Sequence, residues 1–261
     1  MTLVASTFPN VPNFTCDSWC YEIPVEFTEA KAIDGGRIEL RHTVIRYPHV
    51  VLVTTVTPEP GAVEFAVRPE LAGGAAGEVP DGLVLPNLCW QLIRAPAFAS
   101  KPEPYPDFAR RCFIFTEHGR TFLGKTTRRN LPDRPEYESM NNPVWAQMYT
   151  AVWGRFPEVF PGWSSNFRTT VWSEAHSPDR YTTPVIGTVS RDGKYLAALG
   201  NGSAETMLQA FHDCLHNNPE WLPRNAPPAQ RRWRLKMYVM ENDPEALRKR
   251  VAKDFPRREE P

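Results

Sequence analysis

Residues 37–46 (RIELRHTVIR), 49–57 (HVVLVTTVT) and 62–68 (AVEFAVR) carry the reading on which the fold class turns. All three runs are rich in β-branched residues, and turn formers separate them: Tyr47-Pro48 after the first, PEPG at 58–61 after the second. Such runs predict antiparallel strands. Side chains alternate faces along a strand, so Ile38, Leu40, His42 and Val44 share one face and His42 lies on the apolar side.

Further along, a Gly/Ala-rich link (AGGAAGEVPDG, 72–82) leads to LVLPNLCWQLI (83–93), then to RCFIFTE (111–117) and RTFLGKTT (120–127) around an EHGR turn. These read as more strands. In VWAQMYTAVW (144–153), alternation puts Trp145, Gln147 and Tyr149 on one aromatic face. Residues 154–183 lack periodicity and contain Trp163, Trp172, His176 and Asp179, a long loop of the kind that often carries function. PVIGTVS (184–190) and YLAALG (195–200) flank an RDGK turn and predict a hairpin.

Two short helices are expected near the C-terminus. The first spans 203–216, with Met207, Phe211, Cys214 and Leu215 as an apolar stripe at helical spacing, and Asn217-Asn218-Pro219 stops it. After a strand in RRWRLKMYVM (231–240), Asp243-Pro244 forms an N-cap and first-turn pair opening the second, with Leu247, Val251 and Phe255 on one face. With many short strands and no βαβ alternation, the chain reads as mostly β, a large antiparallel β-sandwich forming a single domain over residues 1–261. No internal repeat breaks it, and the Gly/Ala link is the one candidate boundary.

Composition narrows the function. Thirty basic residues balance thirty acidic ones, so no net field draws the chain to nucleic acid or to an anionic membrane. No apolar run reaches the roughly 20 residues needed to span a bilayer. The opening MTLVASTFPN lacks a basic and apolar leader, which predicts a cytoplasmic protein, or a secreted one whose signal has been removed. Proline, at 27 residues, is about twice the usual share and implies many rigid loops. Five cysteines without regular spacing argue against a disulfide framework, although Cys16 and Cys20 in CDSWC stand close enough to bridge or to ligate a metal. The G-x-S-x-G, P-loop and dinucleotide patterns are absent, which sets those enzyme classes aside.

The most chemically pointed segment is HDCLHNNPEW (212–221). On a helix, His212 and His216 stand one turn apart and reach one ion, as in the H-E-x-x-H motif, with Asp213 in place of its Glu and His176 or a distant acid as a third ligand brought in by folding. A divalent metal is therefore the one cofactor that the spacing implies. Alternatively the two histidines edge the core, or serve as proton shuttles or sugar contacts. Glu117, Glu174, Asp179 and Asp213 are the carboxylates available for acid–base work, and sequence spacing does not pair them.

The segments TPVIGTVSRDGKYLAALG, CLHNNPEWLP and WRLKMYVMENDPEALRKRVAKDF, with a C-x-H-x-x-P element and a closing D-x-x-x-L…DF helix, resemble galactose-mutarotase-like β-sandwich proteins. The resemblance covers residues 183–255 as an order of elements and includes no catalytic signature. It implies a supersandwich whose concave face handles carbohydrate, and a histidine and a carboxylate as acid and base on a sugar.

The leading expectation is a carbohydrate-active enzyme of hydrolase, lyase or epimerase type. His42, His212, His216 and Asp213 would supply acid–base chemistry. Trp90, Trp145 and Tyr149 would stack on sugar rings, with Gln147 beside them and Arg46 or Arg94 binding hydroxyl or anionic groups. The alternatives are a metal-dependent hydrolase or oxidoreductase built on His212 and His216, and a noncatalytic carbohydrate-binding or assembly module. The expected partner is a saccharide, with neither nucleic acid nor membrane, and the oligomeric state is open.

Overall fold

A computed structural model describes residues 25–45, 47–74, 88–92, 95–99, 106–127, 148–153, 177–202, 204–208, 213–219 and 232–256. The alternation that opens the chain becomes an antiparallel meander of β1 (Val25–Ile33), β2 (Arg37–Val44), β3 (Tyr47–Glu59) and β4 (Ala62–Leu71). Its register sets Leu40 opposite Thr54, His42 opposite Leu52 and Val56 opposite Phe65, so the apolar positions read from sequence do share one face. Between β3 and β4, Gly61 adopts φ +66°, and a Cβ there would stand 3.1 Å from the Val239 carbonyl oxygen. Glycine is required at that turn.

The remaining strands are β5 (Leu88–Gln91), β6 (Cys112–Thr116), β7 (Gly119–Phe122), β8 (Met148–Thr150), β9 (Val185–Val189), β10 (Tyr195–Asn201), β11 (Ala204–Leu208), β12 (Cys214–Pro219) and β13 (Trp233–Glu241). Among the described residues there are also two short helices, α1 (Pro106–Arg111) and α2 (Pro244–Asp254). The strands form a nine-stranded sheet, ordered β1-β2-β3-β4-β13-β10-β9-β6-β7, and a four-stranded sheet, ordered β5-β12-β11-β8. Every pairing within both sheets is antiparallel. The fold is the mostly β sandwich that the sequence predicts. No helix among the described residues is long and apolar enough to cross a membrane.

Strand alternation builds cores on both sides of the larger sheet, and a third cluster joins Val44, Val50, Leu52 and Val67 of the meander to Trp233 of β13. Ile114, Ile186, Ala197, Leu199, Leu235 and Met237 face the smaller sheet and pack with its Trp90, Tyr149, Met207 and Leu215. Phe113, Phe115, Val185, Leu196, Ala198 and Tyr238 point the other way and are covered by Leu247, Val251 and Phe255 of the α2 segment. Helix α2 starts as predicted: the Asp243 carboxylate accepts from the Ala246 amide at 2.9 Å, and Pro244 fills the first turn.

The expected helix over 203–216 is not formed, and this corrects the sequence reading. Ala204–Leu208 and Cys214–Pro219 are strands paired with each other, with Met207 opposite Asn217 and Leu208 opposite His216. Met207 and Leu215 satisfy a helical stripe and an inward-facing strand position equally well. Pairing of β12 with β5 and of β11 with β8 decides between them, because it satisfies backbone groups that lie far away in sequence. Asn217 to Pro219, expected as a helix stop, complete β12 instead. Phe211 and His212 lie outside the described residues.

One buried charge interrupts the α2 side of the sheet. The Lys236 side chain is 2% exposed, with its ammonium 2.9 Å from Glu59, 3.5 Å from Glu64 and 3.2 Å from Asp254. Arg234 and Arg250 reach Glu64 and Glu59 from outside, and the Tyr238 hydroxyl donates to Asp254 at 3.0 Å. Burial alone would lower the Lys236 pKa. Hydrogen bonds to Glu59 and Asp254, with the charge of both, outweigh it and hold the group above the ordinary lysine value. Lys236→Met should leave three carboxylates around an apolar end and cost about 3–5 kcal/mol, read as a lower urea midpoint at unchanged slope. Because the folded pKa is raised, the Lys236 contribution is complete below the ordinary lysine range and is lost as pH rises through the folded value. The stability gap between wild type and variant should therefore close only in strongly alkaline buffer.

Candidate functional site

Alternation along β12 separates two sets of side chains. Leu215 and Asn217 face the larger sheet: Leu215 joins the shared core, and the Asn217 amide donates to the Leu199 carbonyl at 2.9 Å. Cys214 and His216 therefore face the opposite side of the smaller sheet. There Cys214 Sγ lies 3.1 Å from His216 Nε2, and the two residues are 0% and 1% exposed. A thiol at that distance donates to a neutral imidazole nitrogen, or accepts from a protonated one. Either arrangement orients the ring.

Asp213 precedes this pair and is also buried, with its backbone carbonyl accepting from the Leu92 amide at 2.7 Å. On the larger sheet, Cys112 is fully buried and its thiol donates to the Phe108 carbonyl at 3.4 Å. Burial pushes the Cys112 thiol well above the ordinary range. A hydrogen bond with Thr188 and the charge of Arg111 oppose that only in part, and Cys214 and Asp213 add to it. Cys112 is thus a packing group rather than a nucleophile.

The structure does not bring all the predicted site residues together. His216 and Asp213 share one short stretch. His42 sits on β2 of the other sheet, fully buried, its ring edge-on to Phe27 at 5.6 Å between centroids. The smaller sheet packs over β9 and β10, and β2 stands four strand positions from β10, about 19 Å at ~4.8 Å per strand. His42 and His216 do not line one cleft. Arg46, Arg94, Trp145, Gln147, His176 and His212 lie outside the described residues, as do Cys16, Cys20, Trp163, Trp172 and Glu174.

Two expected stacking platforms are corrected. Trp90 and Tyr149 occupy inward positions of β5 and β8, are 4% and 0% exposed, and pack into the core. The Tyr149 hydroxyl also bonds the Thr126 hydroxyl at 2.8 Å, so neither ring offers a free face to a sugar. Asp179 accepts from the Thr127 amide, tying two segments 52 positions apart, and Glu117 is an exposed surface group beside His118. His212 lies outside the described residues, and Cys214–Pro219, which carries His216, is a strand rather than the helix that the metal reading assumes. Among the described residues, no group of three or more His, Cys, Asp or Glu is arranged to hold a metal ion.

Sequence reasoning passed over Trp153. Its residue is 43% exposed, and its ring stands edge-on to Tyr181 with centroids 5.5 Å apart. Strict alternation from Tyr149 would carry Trp153 inward. Strand β8 ends at Thr150, however, and after a bridge from Ala151 to Tyr181 the chain turns and carries the indole outward.

No protein-family model matches the chain, and no curated protein matches it. Among solved structures it is similar to the Slr1438 protein from Synechocystis sp. PCC 6803, with 10% identity and a TM-score of 0.36 over 83% of this chain. The chain spans 66% of that protein's length. A likeness at this level carries no argument about activity.

The burial of Cys112 generates a direct test. In native protein at mildly alkaline pH, iodoacetamide should label Cys112 no faster than the chain unfolds globally, and added urea should release the reaction. Peptide mapping by mass spectrometry measures both rates. Rapid native-state labelling of Cys112 would contradict its assignment as a packing group.

Proposed function

We propose that this chain is a carbohydrate-active protein in which His216 is the acid–base group and Asp213, three positions earlier in the sequence, the carboxylate. The observation that carries the reading is the 3.1 Å pair of His216 with Cys214 on β12, both buried. An imidazole with one nitrogen engaged by a thiol has a defined ring orientation. Imidazole is also the side chain whose ordinary pKa best suits proton transfer near neutrality. Epimerase or lyase chemistry on a saccharide is served by such a group with a carboxylate, whereas glycoside hydrolysis ordinarily uses two carboxylates. The resemblance of residues 183–255 to galactose-mutarotase-like proteins supports the substrate class. Trp153, exposed and braced by Tyr181, supplies the aromatic face that a sugar ring needs.

A second reading, a noncatalytic carbohydrate-binding module, is favoured by the contrast between a buried His216 and an exposed Trp153. The two are separated by one experiment. A panel of mono- and oligosaccharides at millimolar concentration is followed by tryptophan fluorescence for binding and by NMR for conversion. The enzyme reading expects His216→Asn to lower turnover by about 10²–10⁴-fold with an unchanged circular dichroism spectrum. It expects Trp153→Ala to raise KM several-fold while sparing kcat, in line with about 1 kcal/mol of ring contact. The module reading expects binding that Trp153→Ala weakens and His216→Asn leaves intact, with no conversion. If no saccharide binds or is converted, both readings fail.

A further inference from the structure

The two ends of the nine-stranded sheet differ. At one end, β7 is a short strand of four residues. At the other, β1 runs for nine residues with no strand among the described residues on its outer side, and residues 26–32 are all exposed. An edge of that length carries a row of outward backbone donors and acceptors suited to a further strand. The apolar side of this end is also open: Phe27 and Ile38 are 38% and 44% exposed, beside exposed Ala30 and Ala32.

The sequence of β1, VEFTEAKAI, indicates which strand fits. Its register with β2 puts Glu29 opposite Arg41 and Lys31 opposite Glu39, and Phe27, Ala30 and Ala32 opposite His42, Leu40 and Ile38. Glu29 and Lys31 therefore lie on one face and Ala30 between them on the other. An antiparallel self-pairing centred on Ala30 sets Glu29 of each copy against Lys31 of the other, twice over. Centring instead on Glu29 or on Lys31 sets like charges directly opposite each other, which is destabilising. We propose that this chain forms a two-fold homodimer by antiparallel pairing of β1 with β1 of a second copy about Ala30, joining the two nine-stranded sheets into one. The pairing satisfies the backbone groups of the edge and puts the uncovered Phe27 and Ile38 surfaces of both copies on the same side of the joined sheet. The β-bulge between Phe27 and Glu29 limits where the edge is regular and disfavours shifted registers. This inference does not depend on the carbohydrate reading.

The test is charge reversal and swap on the whole chain, read by sedimentation equilibrium from micromolar to sub-millimolar concentration. Wild type should be a reversible dimer. Lys31→Glu and Glu29→Lys each make both symmetry-related pairs like-charged and should weaken the dimer by about tenfold. The double variant E29K/K31E should restore it to within a few-fold of wild type. Both residues also face β2 within the monomer, so circular dichroism melts accompany each sample. Where a reversal lowers the melting temperature, Lys31→Gln carries the comparison with a smaller shift in the same direction. A wild type that stays monomeric throughout, or a dimer indifferent to both single reversals, would overturn the proposal.

Discussion

Val185, Val189, Leu196 and Ala198 point to one side of the larger sheet, and Ile186, Ala197 and Leu199 point to the other. The middle of that sheet is thus apolar on both faces, and neither can be left to water. The rest of the architecture answers to this constraint. The smaller sheet covers one face through Trp90, Tyr149, Met207 and Leu215, and the α2 segment covers the other through Leu247, Val251 and Phe255. The strands at the meander end of the sheet, β1 and β2, carry charge on one side and, on the other, positions that run from exposed Phe27 and Ile38 to buried His42 and Val44. They extend the sheet without needing a cover of equal size.

The same constraint shows why some of the fold was legible in sequence and some was not. Residues 37–68, the hairpin around RDGK and the capped closing helix are local structures: pairing partners are neighbours in sequence, and turn residues or a capping carboxylate mark their ends. The stretch from 203 to 219 has no such local solution. Strand β10 lies in one sheet and β11 in the other, and the partners of β11 and β12 include strands some 55 to 130 residues earlier. A helical stripe was the best local explanation of Met207, Cys214 and Leu215, and long-range pairing displaced it.

The candidate site was half legible for the same reason. HDCLH stood out for its side-chain chemistry, and that part survives as the Cys214–His216 pair and Asp213. What changed is the periodicity. In a strand, residues two apart share a face, so the thiol at 214 rather than a second histidine meets the imidazole at 216. His42 was correctly placed on an apolar face, yet a face is not an address: four strand positions separate it from β10, over which the smaller sheet packs. Aromatic residues illustrate the converse. Trp90 and Tyr149 have the composition of a sugar platform but the positions of core residues, and Trp153 reaches the surface only because β8 ends three residues before it.

Strand β13 lies between β4 and β10, and so between a meander made from residues 25–71 and a set of strands that begins at Cys112. It follows every other described strand in sequence and is a central one in the sheet. On a ribosome making the protein from its N-terminus, the two halves emerge as separate pieces, each with an open edge, β4 on one and β10 on the other. They cannot be joined until Trp233–Glu241 has cleared the exit tunnel. The ion pairs of Lys236 with Glu59 and of Arg234 with Glu64, each spanning 170 or more positions, form only at that moment. Translation order thus makes the final strand the keystone, and nascent chains cut short before it are left with two unpaired sheet edges.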